Sequence, residues 1–137
     1  MVGRNASVRP VPYQDVGCSL MPTVSLGLPV YNGEAYLDEA ITSIRSQSFQ
    51  DFELIISDNC STDSTLSICE AHAAADPRIK VFRQEENRGA AYNYNFVFGQ
   101  ATGRYFKWCA HDDRLNEDFL RSCVDAFGST AGDIVLV

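Results

Sequence analysis

Apolar positions along this chain alternate between two periods. Thr23-Val-Ser-Leu-Gly-Leu-Pro-Val30 reads as a strand, with Pro29 expected at or beyond its end. Ala35, Leu37, Ala40, Ile41, Ile44 and Ser48 then outline a helical stripe starting near Glu34. A second strand is predicted over Asp51–Ser57, where Leu54, Ile55 and Ile56 are consecutive, as in a strand buried on both faces. Leu66, Ile68, Cys69, His72 and Ala73 carry the next helix to Asp76-Pro77, with Ser61 or Thr62 as its expected cap. Arg78–Phe82 is a short third strand, and Ala90 to Ala101 a third helix. Tyr105–Cys109 forms a fourth strand, Glu117–Phe127 a fourth helix, and Asp133–Val137 begins a final strand. Strict alternation of strand and helix predicts an α/β class fold, a three-layer α/β/α sandwich around a mainly parallel sheet.

Residues 1–21, with Pro10 and Pro12 and no sustained period, read as a flexible N-terminal tail, so the domain is expected over residues 22–137. The chain has 137 residues, one domain by size. The net charge of −7 argues against nucleic acid as a partner. The five cysteines, Cys18, Cys60, Cys69, Cys109 and Cys123, show no C-x-x-C spacing and read as unpaired thiols of a reducing compartment. Without an apolar run of spanning length, the expected location is the cytoplasm, free or held peripherally at the inner face of the membrane.

Three polar clusters fall at predicted strand ends: Tyr31-Asn32, Asp58-Asn59 and Asp112-Asp113. In parallel α/β sheets that rim is where ligands bind, near the point where strand order reverses. Adjacent carboxylates repel each other, so Asp112 and Asp113 suit a site shared with a cation, and hard cations such as Mg²⁺ or Mn²⁺ prefer their oxygens. The competing explanation is that one caps the next helix and the other is solvated. Asp58 fits either an Asx-turn or an acceptor for a base N–H or ribose hydroxyl. Tyr31 fits either packing on the first helix or stacking on a base. The turn after the first strand holds a single Gly, so the G-x-G-x-x-G dinucleotide cradle is absent, as is the G-x-x-x-x-G-K-[ST] phosphate loop. A bound pyrophosphate would then be neutralised by a metal held on the acidic pair.

Four segments resemble the motifs of the family 2 glycosyltransferases. They are Leu28-Pro-Val-Tyr-Asn-Gly-Glu34, Leu54-Ile-Ile-Ser-Asp-Asn-Cys-Ser-Thr-Asp63, Asn87-Arg-Gly89 and Gly103-Arg-Tyr-Phe-Lys-Trp-Cys-Ala-His-Asp-Asp113. The resemblance implies a GT-A fold that binds a nucleotide-diphospho-sugar, typically a UDP-sugar, and a hexosyltransferase-like, inverting transfer to an acceptor hydroxyl. It implies nucleotide contacts at Pro29, Tyr31, Asp58, Arg88 and Asp112, and Mg²⁺ or Mn²⁺ at Asp112 and Asp113. It also implies a role in polysaccharide or cell-envelope biosynthesis, with a glycan, lipid-linked or protein acceptor. Many relatives carry D-A-D-D where this chain has Ala110-His-Asp-Asp113, which leaves His111 with a packing or loop role and open which Asp binds metal directly. The family's catalytic base is expected beyond Val137, since Asp125 and Asp133 are poorly placed for it. The chain is therefore expected to be the donor-binding part of a longer enzyme, inactive by itself. A sheet cut short exposes an apolar edge that a second copy can cover, so a homodimer through it is expected. The alternative from another class is a non-catalytic, Mg-binding, receiver-like module, which lacks its late Lys here because none follows Lys107.

Overall fold

A computed structural model describes residues 21–129. The tail expected before Met21, the strand expected at Asp133–Val137 and any homodimer contact along it lie outside the described residues. Within them the order is β1 (Val24–Val30), α1 (Leu37–Arg45), β2 (Phe52–Asp58), α2 (Thr65–Ala75), β3 (Ile79–Arg83), α3 (Ala90–Gly99), β4 (Tyr105–Trp108) and α4 (Phe119–Ser129). All strand pairs are parallel, and the sheet runs β3-β2-β1-β4. The strand order therefore reverses at β1, whose neighbours are β2 on one side and β4 on the other.

Side chains alternate across the sheet. Val24, Leu26, Leu28, Val30, Leu54 and Ile56 pack with Leu37, Ile41 and Ile44 of α1, Cys69 of α2 and Leu120 of α4. Ile55 and Phe106 meet Val97 of α3 on the opposite face. The expected three layers thus form, and Leu54, Ile55 and Ile56 are each fully buried. Each such side chain contributes roughly 1.5–3 kcal/mol by leaving water.

Pro29 lies inside β1, not at its end. The odd-numbered residues of β1 point their backbone groups toward β4, as the Cys109 N–H on the Gly27 carbonyl shows, and the even ones toward β2, as the Asn59 N–H on the Val30 carbonyl shows. Pairing with β4 stops at Gly27, so the N–H that Pro29 lacks would have found no strand partner. The same early stop leaves the last residues of β1 unpaired on the side that faces β4.

Several boundaries also differ from expectation. Helix α1 starts at Leu37 rather than Glu34, because the intervening turn is spent on contacts with the loop after β2. Neither Ser61 nor Thr62 caps α2. Both bond to Asn32, while Asp63 Oδ1 accepts the Thr65 N–H at 2.9 Å. Helix α4 begins at Phe119, so neither Asp112 nor Asp113 is its cap.

At the amino end of the sheet, Glu53 gathers three segments, β1, β3 and the residues before β4. It accepts from Ser25 Oγ (2.6 Å), Lys80 Nζ (2.7 Å), and both the N–H and hydroxyl of Thr102 (2.8 Å each). Burial by itself would raise its pKa, but the bonds from Lys80, Ser25 and Thr102 together outweigh that and lower it. Arg78 holds Asp76 at about 2 against the opposing effect of burial. Both folded-state values lie below the unfolded ones, so both groups stabilise the fold above the ordinary carboxylate range. That stability is lost as pH falls through the folded values. Urea melts should show stability constant near neutrality and falling below about pH 4. Glu53→Ala should lose about 1–3 kcal/mol at pH 7, the cost of leaving the Ser25 and Thr102 donors without their acceptor.

Candidate functional site

The loops after β1 and β2 are built as one unit. Val30 and Asp58 are register partners, so both strands end side by side. Asn32, at φ 48, donates its N–H to Ser61 Oγ (2.9 Å), and its Oδ1 accepts the Thr62 N–H (2.9 Å). The Gly33 N–H goes to Thr65 Oγ1 (2.9 Å), the Glu34 N–H to Asp63 Oδ2 (3.3 Å), and the Ser64 N–H to Glu34 Oε2 (2.9 Å). Three consecutive amides of the first turn, at Asn32, Gly33 and Glu34, are thereby satisfied by side chains of the second, and the Thr62 and Ser64 amides of the second by side chains of the first. Cys60, in the second turn, is at φ 63, a left-handed conformation that costs a non-glycine residue about 1–2 kcal/mol.

Asp58 is fully buried. Its Oδ1 accepts the Ser61 N–H (3.2 Å), the Asx-turn arrangement, and its Oδ2 has no protein partner. Asn59 was not singled out from sequence apart from its neighbour, yet it organises the next loop. It is 3 % exposed, its Nδ2 donates to Asn87 Oδ1 (3.0 Å) and the Gly89 carbonyl (3.3 Å), and its Oδ1 accepts the Arg88 N–H (3.1 Å). The Arg88 backbone is thus brought to the end of β2. Its guanidinium lies 4.5 Å from the Tyr92 ring centroid and 3.4 Å from Glu86, a surface arrangement.

The acidic turn approaches from the other side of β1. The Cys109 N–H bonds the Gly27 carbonyl at 2.7 Å, and His111 then lies against the β1 turn. A Cβ on Gly33 would stand 2.7 Å from both His111 Cδ2 and Val30 Cγ2, so only glycine lets the two turns touch. The His111 ring thus lies against Gly33. Tyr31 is 46 % exposed, leaving its ring open at this rim. Asp112 and Asp113 are exposed, and among the described residues neither takes part in an ion pair. Nor do any three His, Cys, Asp or Glu side chains converge among the described residues. The donor set here is two carboxylates at most. It suits a hard cation that keeps water and takes phosphate oxygens for its remaining positions.

Two buried thiols near this region are held in the protonated form. Burial pushes Cys69 up to about 12, with the Asp58 charge adding to it. Burial likewise raises Cys109 to about 11, against a lowering by Lys107 and with a smaller rise from Asp113. Cys60, Cys69, Cys109 and Cys123 are all free, as expected.

A parallel sheet whose order reverses at β1, with polar loops gathered at the reversal, defines an α/β protein that takes a ligand at its switch point. More narrowly, the chain belongs to glycosyl transferase family 2, whose family model matches residues 25–137. It is 37% identical to the putative teichuronic acid biosynthesis glycosyltransferase TuaG of Bacillus subtilis, over 77% of this chain and 46% of that protein. It is 38% identical to the GalNAc(5)-diNAcBac-PP-undecaprenol beta-1,3-glucosyltransferase of Campylobacter jejuni, over 69% and 31%. Among solved structures, S. aureus TarS 1-349 in complex with UDP-GlcNAc superposes with a TM-score of 0.73 at 31% identity, covering 77% of this chain and 31% of that one. The mannosyltransferase PcManGT from Pyrobaculum calidifontis, in complex with GDP-Man and Mn2+, gives 0.70 at 27%, covering 76% and 32%. The GT-A fold expected from the sequence is therefore the fold observed, and the family match does not favour the receiver-like alternative. The chain spans less than half the length of these relatives. Among the described residues no helix is long and apolar enough to cross a membrane.

The contact between the two turns yields a test. Gly33→Ala should lower stability by about 1–3 kcal/mol through overpacking. Gly99→Ala, where an added Cβ meets nothing within 4 Å, should be neutral or slightly stabilising. Paired denaturation curves check both.

Proposed function

We propose that this chain is the donor-binding part of an inverting family 2 glycosyltransferase that uses a nucleotide-diphospho-sugar, with UDP as the nucleotide and Mg²⁺ or Mn²⁺ as cofactor. The observation that carries the proposal is the meeting of the acidic turn with the Tyr31-Asn32-Gly33 turn at the switch point, through His111 on Gly33. On this reading the flat Tyr31 ring and the two carboxylates serve one ligand along this rim of the sheet. A base, a ribose and a diphosphate each find a complementary group along it. The UDP-GlcNAc complex of TarS and the GDP-Man and Mn2+ complex of PcManGT support a donor of this class. TuaG and the undecaprenol-linked glucosyltransferase support a cell-envelope or other polysaccharide product and an acceptor that is a glycan or lipid-linked. On this reading the protein works in the cytoplasm, at the inner face of the membrane where such an acceptor is presented.

Each residue then has a stated part. Tyr31 stacks on the base, and Asp58 Oδ2 is the acceptor available to a base or ribose donor. Pro29 leaves the β4-facing edge of β1 without a ladder bond beside the proposed site. Arg88, held in place by Asn59, turns from Glu86 toward base or phosphate. Asp112 and Asp113 hold the divalent ion, Asp112 also facing the ribose. When bound, that ion offsets the negative charge gathering on the departing diphosphate. These residues match less than half of the length of the relatives, and on this reading the base that deprotonates the acceptor hydroxyl is supplied by the part they do not match, so that they bind donor without transferring it.

Isothermal titration with UDP, with and without Mn²⁺, tests the reading. Binding should be metal-dependent, and Asp113→Ala should abolish that dependence, whereas Asp125→Ala on α4 should leave it intact. Metal-independent binding of equal strength in all three proteins would refute the assignment, and so would turnover of a sugar donor by this chain alone.

A further inference from the structure

The acidic turn is tethered on both flanks. Upstream, the Cys109 N–H bond to Gly27 and the packing of His111 on Gly33 fix where the chain leaves β4. Downstream, the connector Arg114–Asp118 carries no regular structure, yet it is fastened at successive points to α1 and the residues after it. The Leu115 N–H donates to Ser43 Oγ (3.1 Å), the Ser48 N–H to the Glu117 carbonyl (2.9 Å), and Ser48 Oγ to Asp118 Oδ1 (2.6 Å). Arg114 pairs with Glu39 at 3.1 Å on the surface.

At the centre of this seam is Gln47, a fully buried amide just past the end of α1. Its Nε2 donates to the Asn116 carbonyl (2.6 Å) and the Ser43 carbonyl (3.2 Å), and its Oε1 accepts the Leu120 N–H (3.0 Å). Both amide hydrogens and the carbonyl are thereby used. The orientation of the amide is determined as well. A flipped group would set its oxygen against two carbonyls and its nitrogen against an N–H. Leu120 lies in the first turn of α4, where N–H groups have no partner within the helix, so Gln47 serves as a cap supplied from 73 residues away. One side chain therefore ties the connector to the start of α4 and both to α1.

We infer that Gln47 is a positioning residue for the acidic turn, setting where Asp112 and Asp113 stand relative to the β1 turn. A pair of exposed carboxylates has no bonds of its own to hold it, so its place depends on the flanking chain. The upstream flank is strand-anchored. Downstream, the tether is one backbone bond, from the Ser48 N–H to the Glu117 carbonyl, and a set of side-chain bonds, among which Gln47 supplies the buried side chain. That Asp112 and Asp113 bind metal rests on the proposed function; that Gln47 holds their turn in place does not.

Gln47→Met keeps the volume and removes all three bonds. Hydrogen exchange in the 137-residue chain should then quicken about tenfold or more over amides 111–118, with β1 and β2 amides within about twofold of wild type. The dissociation constant for Mn²⁺ in the presence of UDP should rise about tenfold, as for other outer-shell changes at metal sites, while UDP affinity without metal stays within about twofold. Ser48→Ala, which removes only an exposed bond at the far end of the seam, should quicken the same amides by a smaller factor. It remains available should Gln47→Met not fold. Unchanged exchange over 111–118 in the folded variant, or an increase spread equally over the sheet, would overturn the inference. Quickened exchange in a protein whose wild type shows no metal-dependent UDP binding would leave Gln47 as the tether and refute the metal assignment instead.

Discussion

Everything at the rim depends on the parallel register of β1 with β2, which brings Val30 and Asp58 level. Because the two strands end together, the turns that follow are close enough for side chains of one to satisfy amides of the other. Asn32, Thr65, Asp63 and Glu34 do this in both directions. A slip of one residue would turn Leu54 and Ile56 out of their layer and separate the turns as well. The buried apolar strands and the polar rim therefore specify the same alignment, which is the kind of agreement between levels that makes a fold unique.

That alignment also explains why β4 can be short. Its pairing with β1 stops at Gly27, three residues before β1 ends, and Pro29 occupies the stretch where a ladder partner is missing. The sheet thus splits at its reversal point into a closed side, where β1 and β2 are laced together, and an open side facing the acidic turn. Laced turns on one side and unpaired strand ends on the other are the arrangement at which parallel α/β sheets take ligands, and the chain belongs to glycosyl transferase family 2.

The motifs differ in how far they could be understood before folding. Asp112-Asp113 was conspicuous because adjacent anions need a reason. Asp58 was conspicuous too, and its Asx-turn and its unpaired oxygen are both present. Asn59 and Gln47 drew no attention as separate residues, since a neutral amide in a loop carries no chemical signal. Their importance comes from partners 28 to 73 residues away: Asn87, Gly89 and the Arg88 N–H for one, Asn116 and the Leu120 N–H for the other. Helix starts were misjudged for the same reason. Glu34, Ser61 and Thr62 have the right local chemistry for a helix terminus, but the facing turn uses them first.

The chain's periodicity alone determined the order of strands and helices, because burial on one or both faces imposes its repeat directly on the residues. Its motifs, in order and spacing, were enough for the family. The tertiary structure decided the rest. It set which face each helix covers, that Pro29 lies within a strand, that His111 reaches Gly33, and that α1 holds the far side of the acidic turn. These follow from register and from hydrogen bonds between distant segments, whose energies exist only once both partners are in place.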